Sequence, residues 1–278
     1  MEADRTEGSS VLDRILSTKR DEVTVLHRPE TRDLLRRHAL DAPPTRDFGA
    51  ALRRADGRVG VVAELKRRSP SKGDLAPDLE PARTAMEYER GGAAALSVLT
   101  DGPFFGGRIE DLQAAREAVG LPVLRKDFTI DEVQVYESRA VGADALLLIL
   151  AAVPDDARFA DLQELAWSLG LAVLVEAHTA TELERGVALG ARILGVNARD
   201  LGTFAEDLDG ASALGARIPA PTIAVAESAI RSPADAARMA AAGFDAVLVG
   251  EALVRSVDPA RLVGEMADAA VSRRGGDP

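Results

Sequence analysis

Val59-Gly-Val-Val-Ala-Glu64-Leu-Lys66-Arg-Arg-Ser69-Pro70-Ser-Lys72-Gly73 is a β-branched run that ends in two ionisable groups two residues apart and then breaks into a polar turn. Side chains alternate along a strand, so Glu64 and Lys66 share one face. A carboxylate and an ammonium on one face of a packed strand are costly unless paired. The pair is therefore either a structural ion pair or part of a site. The same stretch also discriminates between folds. A dinucleotide-binding open sheet calls for Gly-x-Gly-x-x-Gly after its first strand, and residues 65–73 hold no such pattern.

Outward from this stretch, a strand, a polar break and a helix recur. Apolar strands are predicted at 59–65, 94–99, 122–125, 145–150, 172–175, 193–196, 222–226 and 246–249. Amphipathic helices are predicted between them at 80–90, 111–119, 132–141, 156–169, 180–189, 207–214 and 233–242, and many end in glycine just before the next strand, as at Gly142 and Gly190. Eight parallel strands joined by right-handed helical crossovers over about 220 residues fit a closed (β/α)8 TIM barrel better than a doubly wound sheet. Upstream, Ser10-Val-Leu-Asp13 opens an amphipathic helix carrying Val11, Leu12, Ile15, Val23 and Leu26, and a second short helix is expected near 31–39. The chain divides into an N-terminal helical extension at 1–57, a catalytic barrel at 58–273 and a tail at 274–278.

Composition narrows the partners. With 34 Lys and Arg against 45 Asp and Glu, the net charge of −11 argues against a nucleic-acid partner. The absence of cysteine removes disulfides, thiolate catalysis and cysteine-based metal sites, and His27, His38 and His178 have no metal-ligand spacing. No basic region followed by an apolar one opens the chain, and the longest strongly apolar run, 145–153, is too short to span a bilayer as a helix. A cytoplasmic protein without a membrane partner is expected.

In such barrels chemistry sits at the C-terminal ends of the strands. The first strand ends in Glu64 and Lys66, the third in Arg125-Lys126-Asp127-Phe128, the fifth in Glu176, the sixth in Asn197-Ala198-Arg199-Asp200 and the seventh in Glu227-Ser228. Two lysines facing two or three carboxylates form a general acid/base set that calls for neither metal nor organic cofactor. Ser228, Ser232 and Gly250 stand in the last two loops, where many barrels hold a phosphate. Phe104, Phe105 and Phe128 fall in the loops after the second and third strands of a chain with only 4% aromatics, which suggests a flat aromatic group to be covered.

The motifs Ala63-Glu64-Leu-Lys66-Arg-Arg-Ser69-Pro70-Ser71-Lys72-Gly73, Leu96-Ser-Val-Leu-Thr-Asp101 with Phe104-Phe105-Gly106, Leu124-Arg-Lys126-Asp-Phe128, Gln134, Leu174-Val-Glu176-Ala-His178, Gly195-Val-Asn197-Ala-Arg199-Asp-Leu201 and Ala226-Glu227-Ser228 closely resemble the indole-3-glycerol phosphate synthase family of tryptophan biosynthesis, in the same order over nearly the whole chain. The resemblance implies a carboxy-lyase acting on a small, phosphorylated, anthranilate-derived substrate, without cofactor or metal, as a monomer or a dimer. It implies Lys126 as general acid, Glu176 as general base or stabiliser of a cationic ring, Glu64 with Lys66 in dehydration and carboxylate positioning, and Asn197 and Glu227 as hydroxyl-positioning groups. It further implies that Arg199 contacts the anthranilate carboxylate, that Ser228 and Gly250 form the phosphate cradle, that Pro70, Phe105, Phe128, Leu147 and Leu201 form the apolar slot for the anthranilate ring, and that Ser69, Ala229 and Glu251 also bind substrate. Which lysine serves which step stays open at this level. Three positions depart from the family pattern: Ala229 stands where glycine is usual, Ala198 where a second asparagine is common, and Arg108 where a small polar residue is more usual. A phosphoribosylanthranilate-type isomerase, a Schiff-base aldolase using Lys126 or Lys66, and a barrel that only binds its ligand are the competing readings.

Overall fold

The structure is a computed structural model that describes residues 10–199, 205–272 and 274. Its centre is a closed barrel of eight parallel strands: β1 (Gly60–Leu65), β2 (Ala95–Leu99), β3 (Val123–Lys126), β4 (Ala145–Ile149), β5 (Ala172–Ala177), β6 (Ile193–Asn197), β7 (Ile223–Glu227) and β8 (Ala246–Val249), with β8 pairing back onto β1. These bounds match the apolar runs to within a residue or two. Helices Pro81–Arg90, Ile109–Ala118, Glu132–Ala140, Asp156–Ser168, Ala180–Ala188, Leu208–Gly215 and Pro233–Ala241 occupy the crossovers, and Pro259–Ala267 follows β8. Gly142 and Gly190, which end two of these helices, take φ of +91° and +73°, where a Cβ would be strained.

Alternation along the strands sorts the side chains into two cores. Val61, Ala63 and Leu65 of β1 face outward into the layer shared with the helices, whereas Val62 joins the interior cluster formed with Leu124, Leu147, Leu174, Val225 and Leu248. The inward register, continued to the strand ends, carries Glu64, Lys126, Glu176, Asn197 and Glu227 above that apolar floor. Arg125, one residue out of phase on β3, is buried on the other side, donating to Thr100 Oγ1, Ser138 Oγ and Glu137 Oε2.

Two helices, α1 (Val11–Leu26) and α2 (Pro29–Asp41), precede the barrel, and a third, α3 (Phe48–Leu52), buries Phe48 and Leu52 in the interior cluster. Ser10 caps α1 through a reciprocal bond with Asp13. The apolar stripe of α1 buries Ile15 and Leu16 against the barrel interior, a contribution of about 1.5–3 kcal/mol for each fully buried side chain. Two local features escape a reading by periodicity. Residues 68–74 fold back as a two-stranded ribbon, Arg68–Ser69 against Gly73–Asp74. Phe104 and Phe105 lie on a helical turn, Gly102–Phe105, whose free amides Asp101 caps at 2.8 and 3.2 Å, and not on an open loop.

Candidate active site

The strand ends converge on one cavity at the C-terminal face of the barrel. Lys126 stands near its centre, with its ammonium 3.0 Å from Glu176 Oε2 and 3.5 Å from Glu227 Oε2. Glu176 Oε1 accepts from Asn197 Nδ2 at 3.1 Å. Across the mouth Lys66 pairs with Glu64 at 2.5 Å, and Ser97 Oγ donates to the other Glu64 oxygen at 3.4 Å. Glycine makes room for two of these carboxylates. A methyl at Gly195 would run into Glu227, and one at Gly250 would run into Glu64. The side chains of Glu64, Glu176 and Glu227 are at most 3% exposed, so their charges interact with little screening from water.

Burial opposes the charge on Lys126, but Glu176, Glu227 and Glu64 outweigh it and hold the ammonium well above its usual range. Glu176 is likewise opposed by burial, and Lys126 and His178 overcome it, so its carboxylate stays ionised far below the ordinary value. Glu227 goes the other way. Burial and then the neighbouring Glu176 push it up to about 8, more than Lys126 can offset, and neither of its oxygens has a hydrogen-bond partner among the described residues. The cavity thus presents a charged donor, a fixed anion and a carboxyl poised to hold its proton near neutral pH.

One wall is apolar and aromatic. Phe105 and Phe128 meet with ring centroids 6.0 Å apart and an interplanar angle of 36°, and Pro70 and Leu147 line the same cavity. The floor and lid add Leu99, Ile149 and Leu248, with Val11, Leu12 and Ile15 of α1. Gln134 fixes the Phe128 loop by donating to Phe128 O at 2.9 Å and accepting from the amides of Ile130 and Asp131. On the opposite side lie Ser228, Ala229, Gly250 and Glu251. Ser228 and Ala229 take φ of +66° and +59°, so the methyl of Ala229 sits in the backbone region that favours glycine. Glu251 is held by Lys72 at 3.3 Å and Arg255 at 3.8 Å.

Arg199 lines the cavity and pairs with Glu206 at 2.5 Å, and Glu206 also reaches Arg231. Ser69 does not line it. Buried in the ribbon, its Oγ accepts from the Lys72 amide at 3.2 Å. Leu201 lies outside the described residues, and Ala198 is buried behind the strand end with the outer core. Arg108 is exposed at the N-cap of its helix, where its side chain makes no capping bond. The cavity residues that sequence reasoning missed are mainly the α1 stripe, Glu206, Arg231 and Ser71. Periodicity shows that α1 has an apolar face but carries no signal of what the face covers.

The family model described as indole-3-glycerol phosphate synthase matches residues 12–266. The chain is 52% identical over 255 residues to an indole-3-glycerol phosphate synthase of Aromatoleum aromaticum, covering 90% of this chain and 96% of that protein. It is 51% identical over 255 residues to another from Micrococcus luteus, covering 90% and 94%. Among solved structures it is similar to a 3-hexulose-6-phosphate synthase, with a TM-score of 0.60 at 20% identity over 77% of this chain and 100% of that one. A thiamine phosphate pyrophosphorylase from Pyrococcus furiosus gives 0.57 at 18% over 77% and 96%. These structural likenesses speak to the barrel alone. The match over 12–266 and the identity near one half over almost the full length decide the rest: the chain belongs to the indole-3-glycerol phosphate synthase family.

Proposed function

We propose that this cavity closes the indole ring of 1-(2-carboxyphenylamino)-1-deoxyribulose 5-phosphate, releasing carbon dioxide and water, with Lys126 as the general acid. The ring carbon that bears the carboxylate attacks the ketose carbonyl carbon, and the carbonyl electron pair moves to oxygen, which takes the Lys126 proton. Departure of carbon dioxide returns its bonding pair to the ring; the new hydroxyl then takes a second proton from Lys66 and leaves as water, while the methylene beside the ring nitrogen gives a proton to Glu64 and its C–H bonding pair forms the indole double bond. The observation that carries the assignment is the Lys126 ammonium held between Glu176 and Glu227 at the centre of an apolar-walled mouth. A positioned ammonium beside carboxylates is a donor whose proton can be replenished.

Glu176 serves the cation that develops on the aromatic amine, because a fixed buried carboxylate acts there without reorganising. Glu64 and Lys66 serve the carboxylate and the dehydration, Glu227 and Asn197 the sugar hydroxyls, and Arg199 the anthranilate carboxylate. Phe105, Phe128, Pro70 and Leu147 press the ring toward the carbonyl, a contribution of proximity. Ser228, Ala229 and Gly250 line the phosphate end. Membership of a biosynthetic enzyme family supports a cytoplasmic location, and among the described residues no helix is long and apolar enough to cross a membrane.

Purified protein without added metal or nucleotide is expected to convert this substrate to a product with indole fluorescence, and absence of turnover overturns the proposal. Lys126→Ala is expected to abolish turnover with the circular dichroism spectrum unchanged. Retained turnover in that variant removes Lys126 from the acid role.

A further inference from the structure

His178 stands immediately beyond β5 with a side chain only 9% exposed, and the family reaction as set out above gives it no task. Its ring lies between two carboxylates. Nε2 is 3.2 Å from Glu176 Oε1, the oxygen that Asn197 also reaches, and Nδ1 is 3.4 Å from Glu182 Oε2. Glu182 is itself locked in place, accepting the His178 backbone amide at 2.6 Å. No other charged side chain among the described residues lies within ion-pair distance of the ring, and beyond Glu176 the next titratable groups are Lys126 and then Glu227. Four groups, Glu182, His178, Glu176 and Lys126, therefore run in alternating charge from the barrel wall to the mouth.

We propose that His178, as an imidazolium seated between Glu182 and Glu176, is a positioning residue that keeps Glu176 ionised while Lys126 gives up its proton. The inference rests on the roles of Lys126 and Glu176 given above. When Lys126 becomes neutral, Glu176 loses the cation on Oε2 at the moment when the reaction needs its negative charge. Without a second cation, the buried carboxylate would compete with the substrate oxygen for the lysine proton. A cation on Oε1 lowers its basicity and sends the proton to substrate. Burial works against the imidazolium, but Glu176 and Glu182 outweigh it and hold His178 up to about 10. The cation is thus present throughout the neutral range.

The full-length protein with nitrogen-15-labelled histidine tests the charge directly. Of three imidazoles, one is expected to remain protonated above about pH 8, unlike an ordinary histidine, and its signal is expected to vanish in His178→Gln. In that variant kcat is expected to fall about tenfold with KM within about twofold, because the loss is one of chemistry and not of binding. The acid limb of its kcat profile is expected to move up, because Glu176, ionised far below its ordinary value in the wild type, becomes easier to protonate once the second cation is gone. His178→Lys, which restores a cation, is expected to recover both. A merely structural tie would move neither the acid limb nor the lysine rescue. A wild-type kcat and acid limb in His178→Gln, or a His178 that titrates near neutrality, overturns the inference; the second is read on the wild-type chain and does not depend on any variant folding. Turnover in Lys126→Ala would instead refute the assignment on which it rests.

Discussion

A single methyl tests how the mouth holds its ligand. Ala229 adopts φ of +59° directly after Ser228 at +66°, next to the inward end of β7. An L-residue in the left-handed region carries about 1–2 kcal/mol of strain, whereas glycine there carries none but loses about 0.5–1 kcal/mol to its freer unfolded chain. Ala229→Gly is therefore expected to leave the melting temperature within a few degrees. Its effect should fall on KM, which drops as backbone approach to the phosphate becomes unobstructed, with kcat unchanged. An unchanged KM in steady-state assays would show that the methyl crowds nothing. At this scale the sequence was most legible where alternation applies: Glu64, Lys126, Glu176, Asn197 and Glu227 all end inward-facing registers, and all meet. It was less legible at His178: Glu176 two residues before and Glu182 four residues after are close in sequence, but periodicity does not show that the turn leaving β5 folds both carboxylates onto one ring.

Among the elements, α1 was read as an amphipathic helix from its periodicity, yet its most consequential residue is a charge. Lys19 is 2% exposed and reaches Asp127 Oδ1 at 2.9 Å, Asp101 Oδ2 at 3.0 Å and Glu22 Oε2 at 2.8 Å. Asp101 caps the turn bearing Phe105, and Asp127 lies between Lys126 and Phe128, accepting the Phe128 amide at 2.8 Å. One ammonium thus ties the helix to the segments that carry both rings of the aromatic wall. Linear sequence could not show this, since Asp101 and Asp127 lie over eighty residues away and Lys19 looks like any solvated charge on a helix. Breaking a buried ion pair on one side leaves uncompensated charge and costs about 3–5 kcal/mol. Lys19→Met is therefore expected to lose stability of that order in chemical denaturation and to raise KM as the walls loosen. Glu22→Gln, with its partly exposed carboxylate, should cost under about 1 kcal/mol. Equal losses in the two variants would refute the clamp.

For the whole molecule, barrel topology and function separate cleanly. Solved structures at 18–20% identity share the barrel, while the proposed function rests on the charges at its mouth, and those charges set how stability depends on pH. Glu176, Asp127 and Glu182 are held below their ordinary values: burial opposes each, and Lys126 for Glu176, Arg125 and Lys19 for Asp127, and His178 for Glu182 overcome it. Their contribution is complete above the unfolded values of 3.8 for aspartate and 4.5 for glutamate, and is lost as pH falls through the lower folded values. Glu227 has the opposite sign. Its folded value of about 8 exceeds the unfolded 4.5, so its cost is absent in acid, grows as pH rises, and is complete above about 8. His178 contributes stability that is whole below 6.5 and gone above about 10. Between pH 6.5 and 8 both groups act in the same direction, each by at most about 1.4 kcal/mol per pH unit. Stability should therefore peak on the acid side of neutrality, fall steeply below pH 4.5, and decline through neutral pH toward 10. Thermal melts across this range check the shape, and two variants assign it. Glu227→Gln should flatten the decline between 4.5 and 8, and His178→Gln the decline between 6.5 and 10. A melting temperature that rises from neutral pH to 9 would show that these two side chains do not carry the protons assigned to them.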